Sequence, residues 1–158
     1  MTLQTDKHLT KQFRDATSGD VRPQYAALCY RIVKDKPQVL LITSRGTKRW
    51  IVPKGWPMAN KTPGACAQRE AYEEAGVIGR VADRPLGIYP YMKLLDNGKE
   101  VPCAGLIFPL RVTALKAEYP EAGQRRRKWF SPKKAASKVD EPALSDLILR
   151  FNPKHFRM

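Results

Sequence analysis

The sequence predicts a mixed α/β fold in which short strands surround one well-marked helix near the middle of the chain. Apolar runs of strand length recur, turn signals separate them, and residues typical of helix ends bracket positions 63–75. The length of 158 residues suits one domain. Many short strands with one central and one terminal helix indicate an α+β or mixed-sheet sandwich.

The elements follow in order along the chain. Residues 1–22 are predicted to be a polar leader with little to bury, and residues 23–158 to form the single domain. An Asp-Lys-Pro turn at 35–37 predicts a hairpin between the first two strands. Pro109 indicates a bulge or an edge position within its strand. The predicted strands are 25–33, 39–43, 50–52, 86–91, 104–112 and 125–130, with a loop at 54–61 and helices at 133–138 and 143–151.

The central helix has the clearest boundaries. Thr62 can cap its N-terminus, Pro63 suits the first helical position, and Gly76 suits the residue just past its end. Alanines recur every four residues along it, which lets the helix lie close against a sheet. The alanines of this stripe are Ala67, Ala71 and Ala75.

The charge balance favours anionic partners. The chain has 29 Lys and Arg against 15 Asp and Glu, a formal net charge of +14. Such a charge attracts phosphorylated metabolites, nucleic acid or anionic lipid without choosing among them. No run approaches the ~20 apolar residues of a membrane span. The three cysteines, Cys29, Cys66 and Cys103, are far apart and predict small core residues of a protein in a reducing cytosol.

Three glutamates of the central helix are predicted to share one face. Glu70, Glu73 and Glu74 are spaced i, i+3 and i+4. Carboxylates this close repel one another, and a hard divalent cation such as Mg²⁺ relieves the repulsion. Arg69 lies four residues before Glu73 and can pair with it. For three glutamates alone, a solvated acidic helix face is the more common explanation.

A longer pattern changes that balance. The chain contains Gly55, five residues, Lys61, seven residues and then the run REAYEEAGV at 69–77. This resembles the Nudix hydrolase signature GX5EX7REUXEEXGU, in which U is a bulky aliphatic residue. Ala71 at the first U is a mild departure, and Lys61 replaces a glutamate. Two further segments are similar to segments of the diphosphoinositol polyphosphate phosphohydrolases: WIVPKG at 50–55 and QRRRKWFS at 124–131. The segment WIVPKG is also similar to one in some dinucleoside polyphosphate hydrolases.

The resemblance, which covers about residues 25–150, implies an α/β/α sandwich with a mixed β-sheet. It also implies Mg²⁺ or Mn²⁺ dependence and cleavage of a diphosphate linked to a further group. Glu73 and Glu74 would be the main metal ligands, with Glu70 a further ligand or the base that activates water. Arg69 would orient the glutamates.

The resemblance also assigns roles around the helix. Gly55 and Lys54 would shape the preceding loop, and the Gly55 carbonyl would be a candidate metal ligand. Lys61 puts full activity in doubt, although a lysine there could reach a phosphate of the substrate. Candidates for a metal ligand outside the signature are Glu118 and Glu121, with Glu100 less favoured.

Two basic clusters suggest how an anionic substrate is bound. In a strand, Arg125 and Arg127 would share a face with Trp129, so one set of arginines could face the substrate. Solvated charges protecting an edge strand are an equally good explanation. Trp56 could stack on a base, although a core or rim position is the more common role. The clusters are Arg45, Lys48, Arg49 and Lys54 near the signature, and Arg125, Arg126, Arg127 and Lys128 later in the chain.

The preferred hypothesis is hydrolysis of a small, strongly anionic polyphosphate, either a diphosphoinositol polyphosphate or a dinucleoside polyphosphate. The close alternative is removal of pyrophosphate from RNA 5′ ends. A different class is a catalytically weak nucleic-acid-binding protein that kept the fold, in which salt-sensitive RNA binding would replace turnover.

Overall fold

The computed structural model describes the backbone of residues 3–158 and the side chains from His8 onward. The described helices are α1 (Leu3–Ala16), α2 (Pro63–Ala75), α3 (Pro132–Lys138) and α4 (Pro142–Arg150), with a short 3₁₀ turn at Pro153–His155. The described strands are β1 (Arg22–Val33), β2 (Lys36–Thr43), β3 (Trp50–Ile51), β4 (Lys54–Gly55), β5 (Val77–Val81), β6 (Gly87–Leu94), β7 (Glu100–Leu115) and β8 (Arg127–Phe130).

The strands form one mixed sheet. Its main path runs β3-β2-β1-β7-β5, while β4 pairs with β1, β6 with β7 and β8 with β2. The central β1–β7 pair is parallel and the other pairs are antiparallel. The predicted β1–β2 hairpin is confirmed, and its turn uses Lys34 and Asp35 at φ angles of 52° and 66°.

Helices cover both faces of this sheet. On one face, Phe13 of α1 and the predicted alanine stripe of α2 form a core with Ala27 and Cys29 of β1. On the other, α3 and α4 pack against β1, β2 and β6, with Leu144 and Ile148 fully buried. The α/β/α sandwich with a mixed sheet is therefore confirmed.

The N-terminal segment differs from its prediction as a polar leader with little to bury. Residues 3–16 form helix α1, and Phe13 is 8% exposed with its ring 5.9 Å from that of Tyr25. Strand β1 also begins earlier than predicted, at Arg22. Among the described side chains of α1, Phe13 is the one that joins the buried core.

Two further predictions need correction. The predicted loop at 54–61 begins with the short strand β4, whose residues pair with Tyr25 and Ala26 of β1. Pro109 lies inside the central strand β7 and not at an edge or a bulge. On one side of β7 the partner changes from β6 at Ile107 to β5 at Leu110, so Pro109 lies where no neighbouring strand needs its missing N–H.

Two expectations about the chain as a whole can be compared with the structure. All three cysteines are free and buried, as predicted. Within residues 3–158 no helix combines the length and the apolar character that crossing a membrane requires.

Candidate active site

The helix that carries the glutamates, α2, is fixed at both ends. The Thr62 hydroxyl accepts a hydrogen bond from the Ala65 N–H at 3.2 Å, and Gly76 ends the helix at a φ of 68°. A Cβ on Gly76 would stand 2.6 Å from the Tyr119 ring and 2.8 Å from Nη1 of Arg127. This C-terminus therefore needs glycine both for its left-handed backbone and for its close contacts.

The three glutamates occupy different environments on this helix. Glu70 and Glu74 are buried, at 9% and 8% exposure, whereas Glu73 is partly exposed. Arg69 donates from Nε to the Glu73 carboxylate at 2.7 Å, which is the predicted ion pair. The helix thus presents two buried carboxyls toward the protein and a third, paired one at the rim.

Strand β4 packs directly on the buried glutamates. A Cβ on Gly55 would lie 2.2 Å from Cδ of Glu70, so only glycine leaves room for that carboxyl group. The Lys54 N–H points at Oε1 of Glu74 from 3.4 Å. The loop before α2 and the helix therefore form one packed unit, joined through Glu70 and Glu74.

The buried carboxyls are electrostatically strained in a way that a cation would relieve. Burial, reinforced by the neighbouring carboxyls of Glu74, Glu73 and Glu121, raises the pKa of Glu70 to about 8. Burial also raises the pKa of Glu74, while Arg125 and Lys54 lower it. Oxygen donors under mutual repulsion fit a hard divalent cation.

The described residues do not by themselves form a closed metal cage. No three His, Cys, Asp or Glu side chains converge on a common point within the part of the chain that the structure describes. Mg²⁺ commonly keeps several waters and shares substrate phosphates, so one or two carboxylates suffice to hold it. The donor set therefore fits an open site that substrate completes.

Arg125 joins the glutamates to the loop before β8. This guanidinium, 8% exposed, lies 3.8 Å from Oε2 of Glu74 and 3.1 Å from Oε1 of Glu121. It also donates to the Thr43 carbonyl at 3.1 Å, and the Glu121 N–H donates to the Glu73 carbonyl at 3.0 Å. Of the ligand candidates outside the signature, only Glu121 is thus brought beside the helix, whereas Glu118 and Glu100 are exposed.

A basic cleft of about 570 Å³ opens beside Glu74. Four of the predicted substrate residues line it, and strand β6 contributes Tyr91 and Lys93 on its other wall. Arg49 also contacts Asp140 and Glu141, each at 3.4 Å. The predicted residues that line the cleft are Arg45, Arg49, Lys54 and Arg125.

Lys54 and Lys93 bring two positive charges together in this cleft. Burial is the main cause that lowers the pKa of Lys54 to about 8; Glu74 opposes this change, whereas Lys93 and Arg125 contribute to it. Nζ of Lys54 lies 5.2 Å from the Tyr91 ring centroid, and Nζ of Lys93 lies 5.6 Å from that of Trp56. A cation pair of this kind favours an anion between its members.

Tyr91 and Lys93 were not among the substrate residues predicted from the sequence. Their spacing of two residues in β6 places both on one face of the strand, and this was the available signal. The face that turns toward the cleft depends on the pairing of β6 with β7, which the sequence pattern did not reveal.

Three other predicted substrate residues lie apart from this cleft. Lys48 and Lys61 are exposed on loops and are not among the residues lining it. Arg127 donates from Nη1 to the Ala75 carbonyl at 2.7 Å, and its guanidinium lies 5.0 Å from the Tyr119 ring centroid. Arg127 therefore holds the C-terminal end of α2, where a cation also stabilises the helix dipole.

Solved structures of low sequence identity share the fold. The Ap4A hydrolase of C. elegans is 18% identical with a TM-score of 0.58, over 82% of this chain and 94% of that one. A NUDIX hydrolase from Nitrosomonas europaea is 20% identical with a TM-score of 0.59, over 87% and 97% of the two chains.

Sequence comparisons point to the same family. The chain is 34% identical to human diphosphoinositol polyphosphate phosphohydrolase 3-alpha over 107 residues, or 66% of this chain and 61% of the relative. Nudix hydrolase 12 of Arabidopsis thaliana is 33% identical over 64% of this chain and 51% of its own length. The matches thus span between half and two thirds of these relatives. The NUDIX domain model matches residues 22–151, and the chain therefore belongs to the Nudix hydrolase family.

Proposed function

We propose that the protein is a pyrophosphohydrolase that uses Mg²⁺ or Mn²⁺ to cleave a phosphoanhydride bond in a small, strongly anionic polyphosphate. The observation that carries the proposal is the position of the buried Glu74 carboxyl at the wall of a basic cleft, with the buried Glu70 carboxyl beside it on α2. Carboxylates suit divalent cations and the cleft cations suit phosphates, so one site provides for both partners.

The charged side chains of α2 have different roles in the proposed reaction. Glu73 and Glu74 hold the cation, with Glu70 as a further ligand or as the base that takes the proton of the attacking water. Arg69 positions Glu73 through the 2.7 Å ion pair. The bound cation supplies counter-charge to the phosphate oxygens and acidifies the attacking water.

Contacts around Glu74 suggest how its orientation is maintained. The Lys54 N–H and the Arg125 guanidinium approach its two oxygens from different sides, at 3.4 and 3.8 Å. Arg125 is itself fixed by Glu121 and by the Thr43 carbonyl. A carboxylate held in this way keeps its position as the charge beside it changes, which favours precise placement of the reacting phosphate.

The cleft favours a highly charged substrate. Arg45, Arg49, Lys54 and Lys93 line it together with Arg125, against Glu74 and Asp96 as the lining carboxylates. The human relative is named for diphosphoinositol polyphosphates and the C. elegans neighbour for Ap4A. We therefore place diphosphoinositol polyphosphates and dinucleoside polyphosphates first among substrates, ahead of RNA 5′ ends.

Phosphate release from a substrate panel tests the proposal. The panel holds a diphosphoinositol polyphosphate, a dinucleoside polyphosphate, ADP-ribose and 5′-triphosphate RNA, each with Mg²⁺ and with EDTA. We expect metal-dependent turnover of one of the first two and a loss of about 100-fold or more in Glu74→Gln. Glu118→Gln, an exposed glutamate of the loop that carries Glu121, is the matched control and should retain wild-type activity.

Other results would redirect the assignment. Turnover confined to 5′-triphosphate RNA would replace the small-molecule substrate with RNA. Salt-sensitive RNA binding without turnover of any substrate would refute the enzymatic proposal and favour a binding protein. Equal activity in Glu74→Gln and wild type would refute the assigned metal site.

A further inference from the structure

A second and larger cleft, of about 900 Å³, lies at the end of α4 remote from the basic cleft beside Glu74. The β5–β6 connection, the last turn of α4 and the segment after it form its walls. Glu141, just before α4, contacts Arg49 in the basic cleft, whereas Arg150 at the last helical position lines the second cleft. A helix of nine residues is roughly 13 Å long, so the two clefts are separate sites.

Positive charge is concentrated in this second cleft. Arg84, Arg150, Lys154 and Arg157 line it, and Asp83 is the carboxylate among its lining residues. Arg150 pairs with Asp146 at 2.8 Å on the exposed side of α4. Within the described residues no carboxylate forms an ion pair with Lys154 or Arg157, so their charge remains available to a ligand.

The walls of the cleft are tied to each other. The Arg84 guanidinium lies 4.1 Å from the Phe156 ring centroid and donates a hydrogen bond to the His155 carbonyl. The Asp83 N–H donates to the Arg157 carbonyl at 3.0 Å. These contacts hold the C-terminal segment against the β5–β6 connection, so the basic side chains surround a preformed cavity.

Part of the lining is apolar. Leu86, Leu147 and Phe156 line the cleft beside the basic residues. Its volume is typical of sites for small molecules, which combine an apolar lining with a few polar groups that orient the ligand. Arginine side chains suit phosphate oxygens, because a guanidinium fork offers two parallel donors.

We propose that this cleft is a second binding site, for a small molecule that carries a phosphate on a ring. Lys154 and Arg157 bind the phosphate, and the leucines contact the ring. The site is independent of the glutamates of α2 and therefore does not require a divalent cation. It also does not depend on the proposed hydrolysis, since binding here is separable from turnover.

Histidine resonances provide a local probe of this cleft. The chain has two histidines, His8 and His155, and His155 lines the cleft. The whole protein in EDTA is titrated with inorganic phosphate, adenosine monophosphate, inositol hexakisphosphate and polyglutamate, each to about 5 mM, while the ring signals are followed by NMR. His8→Gln assigns the two signals.

The expected result is a saturable shift of the His155 signal with one or both ring phosphates, and weaker binding of inorganic phosphate. Stronger binding of the adenosine compound would identify a nucleotide-like ligand, and stronger binding of the inositol compound a polyphosphorylated ring. The double variant Lys154→Glu/Arg157→Glu should weaken binding about tenfold or more, because each change replaces attraction with repulsion. Lys133→Glu, an exposed lysine of α3, is the matched control and should leave binding unchanged.

Three outcomes would overturn the proposal. The His155 signal could stay in place with every phosphate compound, or polyglutamate could shift it equally, which would show general attraction of anions. The affinity could also survive the double charge reversal. Both reversed residues are exposed, so unchanged circular dichroism and melting temperature of the variant will show that it folds.

Discussion

Replacing Gly55 with alanine tests whether the position of Glu70 depends on its contact with β4. The added Cβ would stand 2.2 Å from Cδ of Glu70 and 2.3 and 2.7 Å from its two oxygens. Carbon atoms in contact are ordinarily about 3.5 Å apart. The Glu70 carboxyl or the strand must therefore move by about 1 Å.

This displacement should harm catalysis more than stability. Overpacking of this kind costs about 1–3 kcal/mol, which corresponds to a fall in Tm of several degrees for a chain of this size. A misplacement of about 1 Å at the reacting groups lowers catalysis roughly 100-fold. Thermal unfolding and kcat/KM on the best panel substrate would measure the two effects separately.

A double-mutant cycle locates the clash. In a Glu70→Ala background the added methyl group has room, so the stability cost of Gly55→Ala should largely disappear. Gly46→Ala is the control, since a Cβ on Gly46, a residue that lines the basic cleft, meets nothing within 4 Å. An undiminished cost in the Glu70→Ala background would refute the reasoning, as would full activity of Gly55→Ala.

Three further predictions concern α2 and its surroundings. In the metal-free protein Glu70 keeps its proton up to about pH 8, whereas the unfolded chain loses it near the ordinary pKa of 4.5. The free energy of unfolding should therefore fall as pH rises between these values, and urea titrations should find this slope reduced in Glu70→Gln. Arg127→Ala removes the hydrogen bond to the Ala75 carbonyl and should cost about 1–2 kcal/mol in the same titrations, with KM unchanged. Lys61→Glu, at an exposed position outside the cleft, should change kcat/KM by less than about fivefold, and a larger loss would indicate a contact with substrate.

Local signals explain why α2 could be predicted closely. Its start and end depend on Thr62, Pro63 and Gly76, which act within one turn of themselves, so the residues that decide the boundaries are adjacent in sequence. The spacing of the glutamates likewise follows from helix geometry. The need for glycine at position 55 could not be predicted from such local signals, because the Glu70 carboxyl that leaves no room for a side chain there lies fifteen residues away in the sequence.

The features that were not predicted from the sequence depend on contacts between elements that are distant along the chain. Most residues of helix α1 are polar, and among its described side chains only Phe13 is buried, so the composition of this segment did not indicate that it packs on the core. Pro109 has the sequence signal of an edge residue, and only the change of partner strand beside it accounts for its central position. Lys93 lines the basic cleft because of the way β6 pairs with β7, which the alternation within β6 leaves undetermined.

The three consecutive arginines at 125–127 show that the number of basic residues in a sequence segment can exceed the number whose charge faces a binding site. Arg125 is enclosed with Glu74 and Glu121, Arg126 lies 5.5 Å from the Trp50 ring centroid, and Arg127 binds the end of α2. Their neighbours on β2, β3 and α2 decide these different roles, although the three arginines are consecutive. Arg125 and Arg127 therefore stabilise the carboxylates and the helix that bears them. The attraction of a polyphosphate depends more on the cations that line the basic cleft from the β2–β3 loop, β4 and β6, which are Arg45, Arg49, Lys54 and Lys93. Substitutions among those cations should change KM, whereas substitutions at Arg125 should change the stability of the protein together with kcat.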